Sequence, residues 1–151
     1  MYIRRSLLAL AAAALFALVA GTSVHAAGGT ATVKTRHAKL GTLLVDGSGR
    51  TLYLFAKDKS KRSTCSGACA TSWPPVLTTG KPAVSGSARK ALLGTTTRSD
   101  GRTQVTYKGH PLYRFSGDAK PGDTKGQGVR AFGARWYAVA ASGKRIGGGG
   151  Y

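Results

Sequence analysis

The sequence predicts an all-β domain with at most one short helix, built from two tandem antiparallel repeats whose hairpins share one core in a small sandwich or barrel-like arrangement. Three observations carry this prediction. An eight-residue pattern occurs twice, turn residues separate short apolar runs, and helical periodicity is nearly absent. Each repeat is about half of one ordinary domain, so we expect the two to share a core.

The repeated pattern is Leu-Tyr-x-Phe-x-x-Asp. It occurs in residues 51–58 (TLYLFAKD) and again, 60 residues later, in residues 111–118 (PLYRFSGD). Alternate residues of a strand share a face. The aromatic residues should therefore point the same way in each copy: Tyr53 and Phe55 in the first, Tyr113 and Phe115 in the second. We expect both pairs to pack into one core across a pseudo-twofold axis, in a structural role, with ligand binding as the alternative.

An aspartate ends each copy of the pattern. Asp58 and Asp118 follow the strand directly, where a carboxylate can accept the backbone N–H groups of the next turn. We expect this turn-capping role. A cation site is the alternative, although the lysines near Asp58 disfavour it.

Turn residues predict a hairpin in each repeat. The arms are residues 43–45 and 51–55 in the first repeat, and residues 104–107 and 111–115 in the second. The reversals are residues 46–49 (DGSG) and Lys108–Gly109, where glycine suits a positive φ. Residues 136–140 (WYAVA) read as a last strand, and residues 87–93 (SARKALL) as about two helical turns.

The ends of the chain differ in composition from its middle. Residues 1–26 have the basic start, apolar run and small-x-small ending of a secretory signal peptide. No cysteine directly follows this run, so we expect no lipid anchor. We expect the mature chain to be soluble and without a transmembrane segment, secreted or periplasmic. We also expect it to be a monomer. We expect a flexible leader over residues 27–39, a single domain over 40–146 (repeats about 40–98 and 99–146) and a disordered tail over 147–151.

The charge is strongly positive. The chain contains no glutamate and carries a formal charge of +18, which falls to +16 when Arg4 and Arg5 leave with the signal peptide. Such a chain is attracted to anionic envelope polymers or membrane surfaces. One dense basic patch stands out: Lys57, Lys59, Lys61 and Arg62. The other cations are dispersed, which argues against a specific nucleic-acid reader.

Two cysteines lie in the segment CSGACATSWPP. In an exported protein Cys65 and Cys69 are expected to form a disulfide that fixes a local turn beside Trp73. The alternative is a periplasmic copper or redox protein that uses both thiols with His110. We expect no cofactor. The chain has no Gly-x-Ser-x-Gly elbow and no phosphate loop, so the sequence predicts a protein that is not an enzyme.

Several of these segments together resemble a bacterial family of secreted repeats of unknown function, described also as predicted lipoproteins with a Tyr-x-aromatic-x-x-Asp motif. The matching pieces are LVDGSGRTLYLFAKD, CSGACATSWPPV, VTYKGHPLYRFSGD, PGDTKGQG and RWYAV. The resemblance runs from about Leu40 to Gly143. It implies export, a tandem repeat, mostly β structure and no established activity.

Overall fold

The computed structural model of the chain describes residues 29–147. The expected signal peptide (1–26) and most of the expected tail (148–151) lie outside the described residues. Within that range the elements follow in this order: β1 (Thr32–Ala38), β2 (Gly41–Asp46), β3 (Tyr53–Phe55), α1 (Ala68–Ser72), β4 (Ala83–Val84), a 3-10 turn (Lys90–Leu92), β5 (Leu93–Thr97), β6 (Thr103–Tyr107), β7 (His110–Pro111), β8 (Arg130–Ala131) and β9 (Ala134–Ala138).

The strands form three small sheets with the orders β2-β1-β4, β3-β9-β8 and β5-β6-β7, and the described residues contain no closed barrel. The predicted all-β class with one short helix is confirmed. None of the helices in residues 29–147 combines the length and the apolar character needed to cross a bilayer.

Strand β1 corrects the expectation of a flexible leader over residues 27–39. It pairs antiparallel with β2 and parallel with β4, and Val33 is fully buried. The composition of this segment, small, polar and basic, was misleading. Its Thr and Val residues favour a strand, and β2 supplies the backbone partners that make it one.

The short helix is in a different place from the one predicted. Within residues 87–93 only Lys90–Leu92 form a 3-10 turn, and Leu93 already begins β5 opposite Tyr107. Good helix-forming residues are overridden here because Leu92 and Leu93 pack against the core and Leu93 pairs with β6. The α-helix is instead Ala68–Ser72, which contains the second cysteine.

The two predicted hairpins are realised to different degrees. In the second repeat β6 and β7 pair across Lys108 and Gly109, whose φ values of 49° and 79° both lie in the left-handed region. In the first repeat the chain does reverse after Asp46, and the Leu52 N–H donates to the Leu44 carbonyl at 3.0 Å. Strand β3, however, takes β9 as its main partner, and β2 pairs mainly with β1.

The core consists of two buried clusters to which both repeats contribute. One is largely aliphatic: Val33, Leu44, Leu52, Leu54, Val76, Val105, Tyr107, Leu112 and Val139. The other is largely aromatic: Leu43, Tyr53, Phe55, Cys65, Cys69, Trp73, Tyr113, Trp136 and Ala138. Each cluster draws residues from both halves of the chain, so the expectation of a shared core is confirmed.

The contribution of β1 to the stability of the core can be tested by Val33→Ala. The loss of buried methyl groups should lower the free energy of unfolding by about 2 kcal/mol. Lys39→Ala, at an exposed position of the same segment, is the control and should change it by less than about 0.5 kcal/mol. Equal effects in urea unfolding would show that β1 is not part of the cooperative core.

Asp46 links the first hairpin turn to the second repeat, and its titration should make the stability of the fold depend on pH. Burial would raise the pKa of Asp46, but hydrogen bonds from Ser48, Arg114 and Arg50 outweigh it and hold the pKa below the ordinary 3.8. The stability that this gives is present above pH 3.8 and is lost as the pH falls through the lower value of the folded state.

We therefore expect Asp46→Asn to be less stable than the parent protein at pH 7, and the difference to shrink steadily below about pH 4. Thermal unfolding of both proteins across this range is the measurement. A difference of equal size at pH 7 and at about pH 2.5 would contradict the account.

Candidate functional site

The two copies of the repeated pattern meet at their tyrosines. Tyr53 and Tyr113 form an antiparallel bridge, in which the N–H of each donates to the carbonyl of the other at 2.8 and 2.9 Å. Their hydroxyl groups then reach the opposite repeat. The Tyr53 hydroxyl donates to Asp118 Oδ2 at 2.6 Å, and the Tyr113 hydroxyl donates to Asp58 Oδ2 at 2.6 Å. Each repeat therefore supplies the acid that binds the tyrosine of the other.

The second oxygen of each carboxylate binds the turn that follows it. Asp58 Oδ1 accepts from the N–H and the hydroxyl of Thr64, both at 2.8 Å. Asp118 Oδ1 accepts from the Lys125 N–H at 2.9 Å. The predicted capping role is thus confirmed. As for a cation site, residues 29–147 hold no group of three or more His, Cys, Asp or Glu side chains placed to bind a metal ion.

The aromatic residues form a stacked column between the two repeats. The order of rings is Phe55, Trp136, Trp73 and Phe115, with centroid separations of 4.1, 3.9 and 4.3 Å. The two tyrosines meet the indoles edge-on, Tyr53 against Trp73 at 5.5 Å and Tyr113 against Trp136 at 5.1 Å. Each half of the chain thus contributes one phenylalanine, one indole and one tyrosine to the group, and both tyrosines are fully buried. The repeated pattern thus forms the centre of the core.

Burial is the main influence on the pKa values of Asp58, Tyr53 and Tyr113. It raises the pKa of Asp58 above 3.8, against the opposing hydrogen bonds from Tyr113 and Thr64. Burial also raises the pKa of Tyr53, helped by Asp118, and the pKa of Tyr113, helped by Asp58. Both phenols consequently stay protonated and donate throughout the neutral range.

The disulfide lies beside the aromatic column. Cys65 and Cys69 are joined, with their Cα atoms 5.2 Å apart, and the Trp73 N–H donates to the Cys69 carbonyl at 2.7 Å. Neither sulfur in a disulfide is a thiolate, so the copper alternative would need prior reduction. The third residue of that alternative, His110, lines a cavity with Asp58.

The sequence did not point to Arg98, which is buried and hydrogen-bonds to the backbone of the disulfide segment. Its Nη2 donates to the Cys65 carbonyl at 2.7 Å, and its Nη1 donates to Ser63 Oγ at 2.8 Å and to Gln104 Oε1 at 2.7 Å. Ser63 Oγ lies 2.7 Å from the Tyr113 hydroxyl. No local pattern relates Arg98 to the disulfide, because Ser63 and Cys65 lie 35 and 33 residues away in the chain.

The basic patch lies around a cavity of about 300 Å³ next to Asp58. Lys59 and Lys61 line it, joined by His110 from β7 and Arg145 from the C-terminal stretch. Lys57 and Arg62 are exposed like the other two residues of the patch but do not line the cavity. We call the space bounded by Lys59, Lys61, His110 and Arg145 the basic cavity. Its arginine was missed because nothing in the sequence relates it to the lysines.

Comparison with known proteins identifies a family but no close relative. A family model described as a secreted repeat of unknown function matches residues 34–77 and 94–140, one copy on each repeat. No curated protein and no solved structure matches the chain.

The exchanged tyrosine–aspartate bonds can be tested by double-mutant cycles. Tyr53→Phe combined with Asp118→Asn should show a coupling energy of about 1 to 3 kcal/mol in urea unfolding. Tyr53→Phe combined with Asp58→Asn is the matched control, and its effects should add within about 0.5 kcal/mol. Stronger coupling to Asp58 than to Asp118 would mean that the bonds stay within each repeat.

Proposed function

Since the chain belongs to a family of secreted repeats of unknown function, we propose that it acts in the cell envelope as a non-enzymatic module that binds an anionic polymer. Its place of action is outside the cytoplasm, in soluble form. Electrostatic attraction supplies most of the affinity, because the chain has a large positive charge and few acids.

The observation that carries this proposal is where the acids lie. Of the five acids in the chain, three are buried and internally bonded: Asp46, Asp58 and Asp118. Among the buried residues the only lysine or arginine is Arg98. The surface of the described region is therefore more basic than the composition alone suggests, and its cations face solvent with little compensation.

A non-enzymatic role is supported by the way the repeated pattern is used. Its tyrosines and aspartates are buried and hydrogen-bond to one another, so their polar groups already have partners inside the core. A polymer is favoured over a membrane surface because the large hydrophobic residues that are exposed, Leu40 and Phe132, are single residues far apart in sequence.

The test is binding of the mature protein to polyphosphate and to polygalacturonate, with uncharged dextran as control, followed by isothermal titration calorimetry. Both anionic polymers should bind, and binding should weaken steeply between about 0.1 M and about 1 M salt, as the Debye length falls from about 10 Å to about 3 Å. Dextran should not bind.

Vesicles of phosphatidylglycerol and of phosphatidylcholine test the competing hypothesis, which is binding to a membrane surface. Binding to the anionic vesicles with no binding to either polymer would replace the polymer by a membrane surface. Polymer binding that is unchanged at about 1 M salt would also overturn the proposal, because it would not be electrostatic.

A further inference from the structure

We propose that the basic cavity is a subsite for one phosphate group of the anionic polymer. This inference rests on the proposed function and adds a place and a chemical class to it. Three cationic side chains, Lys59, Lys61 and Arg145, surround a space of about 300 Å³. That volume is at the lower limit of small-molecule sites and fits one phosphate with the unit attached to it.

The charge inside the cavity is not cancelled by the acid that lines it. Asp58 is only 6% exposed, and its two oxygens accept hydrogen bonds from Tyr113 and Thr64. Lys59 and Lys61 alone outnumber this one acid, so the lining of the cavity carries a surplus of positive charge.

The loop that carries the lysines is held in an unusual conformation. Ser60 and Lys61 have φ values of 54° and 64°, a region that costs a residue with a side chain about 1 to 2 kcal/mol. The Arg62 N–H donates to the Lys59 carbonyl at 3.1 Å, and the bonds from Thr64 to Asp58 fix the end of the loop. Such strain concentrates at functional positions, and a fixed loop loses less entropy when it binds.

Neighbouring groups position the cations. Lys61 lies across Gly109, where an added Cβ would come within 3.4 Å of Lys61 Cγ, so glycine allows the close approach. The Arg145 guanidinium lies 4.9 Å from the centre of the Tyr137 ring. Both side chains thus pack along neighbouring groups of the protein surface at the edge of the cavity.

A phosphate satisfies this arrangement better than a carboxylate. A carboxylate presents two oxygens in one plane, whereas the oxygens of a phosphate point in tetrahedral directions and can meet cations that approach from different sides. Lysines bind phosphate as point charges, and an arginine adds a planar fork that bonds two of its oxygens. Two lysines and one arginine around one space therefore point to phosphate.

The loop that carries Lys59 and Lys61 can be compared with the corresponding loop of the second repeat. This second loop follows Asp118 and carries Lys120 and Lys125. Asp123 lies between them: its Oδ2 accepts from the Lys120 N–H at 3.2 Å and lies 4.0 Å from Lys125 Nζ. This loop has the same number of lysines, but an acid is placed among them, so we assign the subsite to the first repeat alone.

The experiment titrates the mature protein with inorganic phosphate and, at matched ionic strength, with acetate, and follows backbone amide resonances by NMR. Phosphate should shift the amides of residues 59–62 and 108–110, and acetate should not. Lys59→Gln/Lys61→Gln should weaken phosphate binding by about tenfold, the equivalent of one charge-assisted hydrogen bond or more.

Lys120→Gln/Lys125→Gln removes the same charge and should weaken phosphate binding by less than about twofold. All four lysines are exposed, so both variants should unfold at the parent temperature. Equal weakening by the two variants, or no shift at the cavity, would overturn the subsite. If polyphosphate still bound the parent protein, the proposed function would stand. Loss of all polymer binding would instead refute the proposed function.

Discussion

Two buried hydrogen bonds join the halves of this domain, and the rest of the core is arranged around them. Each tyrosine of the repeated pattern donates to the carboxylate of the other repeat at 2.6 Å. A buried carboxylate oxygen without a partner is costly, so the second oxygen of each aspartate is satisfied only when the other repeat is in place. The backbone bridge between Tyr53 and Tyr113 sets the axis of this exchange, and the indoles and phenylalanines stack across it. Duplication of one short pattern has thus produced halves that depend on each other.

The sequence predicted those features that depend on local spacing. The alternation of Tyr53 and Phe55 placed both in the core, Gly109 marked a tight turn, and the aspartates were recognised as turn caps. Features that depend on distant partners were not predictable. The spacing within one strand does not say that Tyr53 binds Asp118, 65 residues away. Strand β1 was missed for the same reason, since its order comes from pairing with β2 and β4 rather than from its own composition.

The scaffold is nearly symmetric, whereas its surface is not. Both repeats keep the tyrosine, the phenylalanine and the aspartate, because the core needs them in pairs. The loops after the two aspartates are free of that requirement. The loop of the first repeat carries Lys59 and Lys61 beside a cavity, and the loop of the second places Asp123 among its lysines. Sequence reasoning could identify the basic patch, but only the fold brings Arg145 to it. A duplicated chain can therefore keep its core residues in both copies while the loops outside the core differ in charge.

The parallel stack of Trp73 on Trp136 has a spectroscopic consequence. The two indoles lie 3.9 Å apart with an interplanar angle of 3°, and they come from different halves of the chain. Chromophores this close exchange excitation energy, so the absorption and emission of the stacked pair differ from those of isolated indoles. The protein consequently carries an intrinsic optical reporter of whether its halves are assembled, which needs no added label.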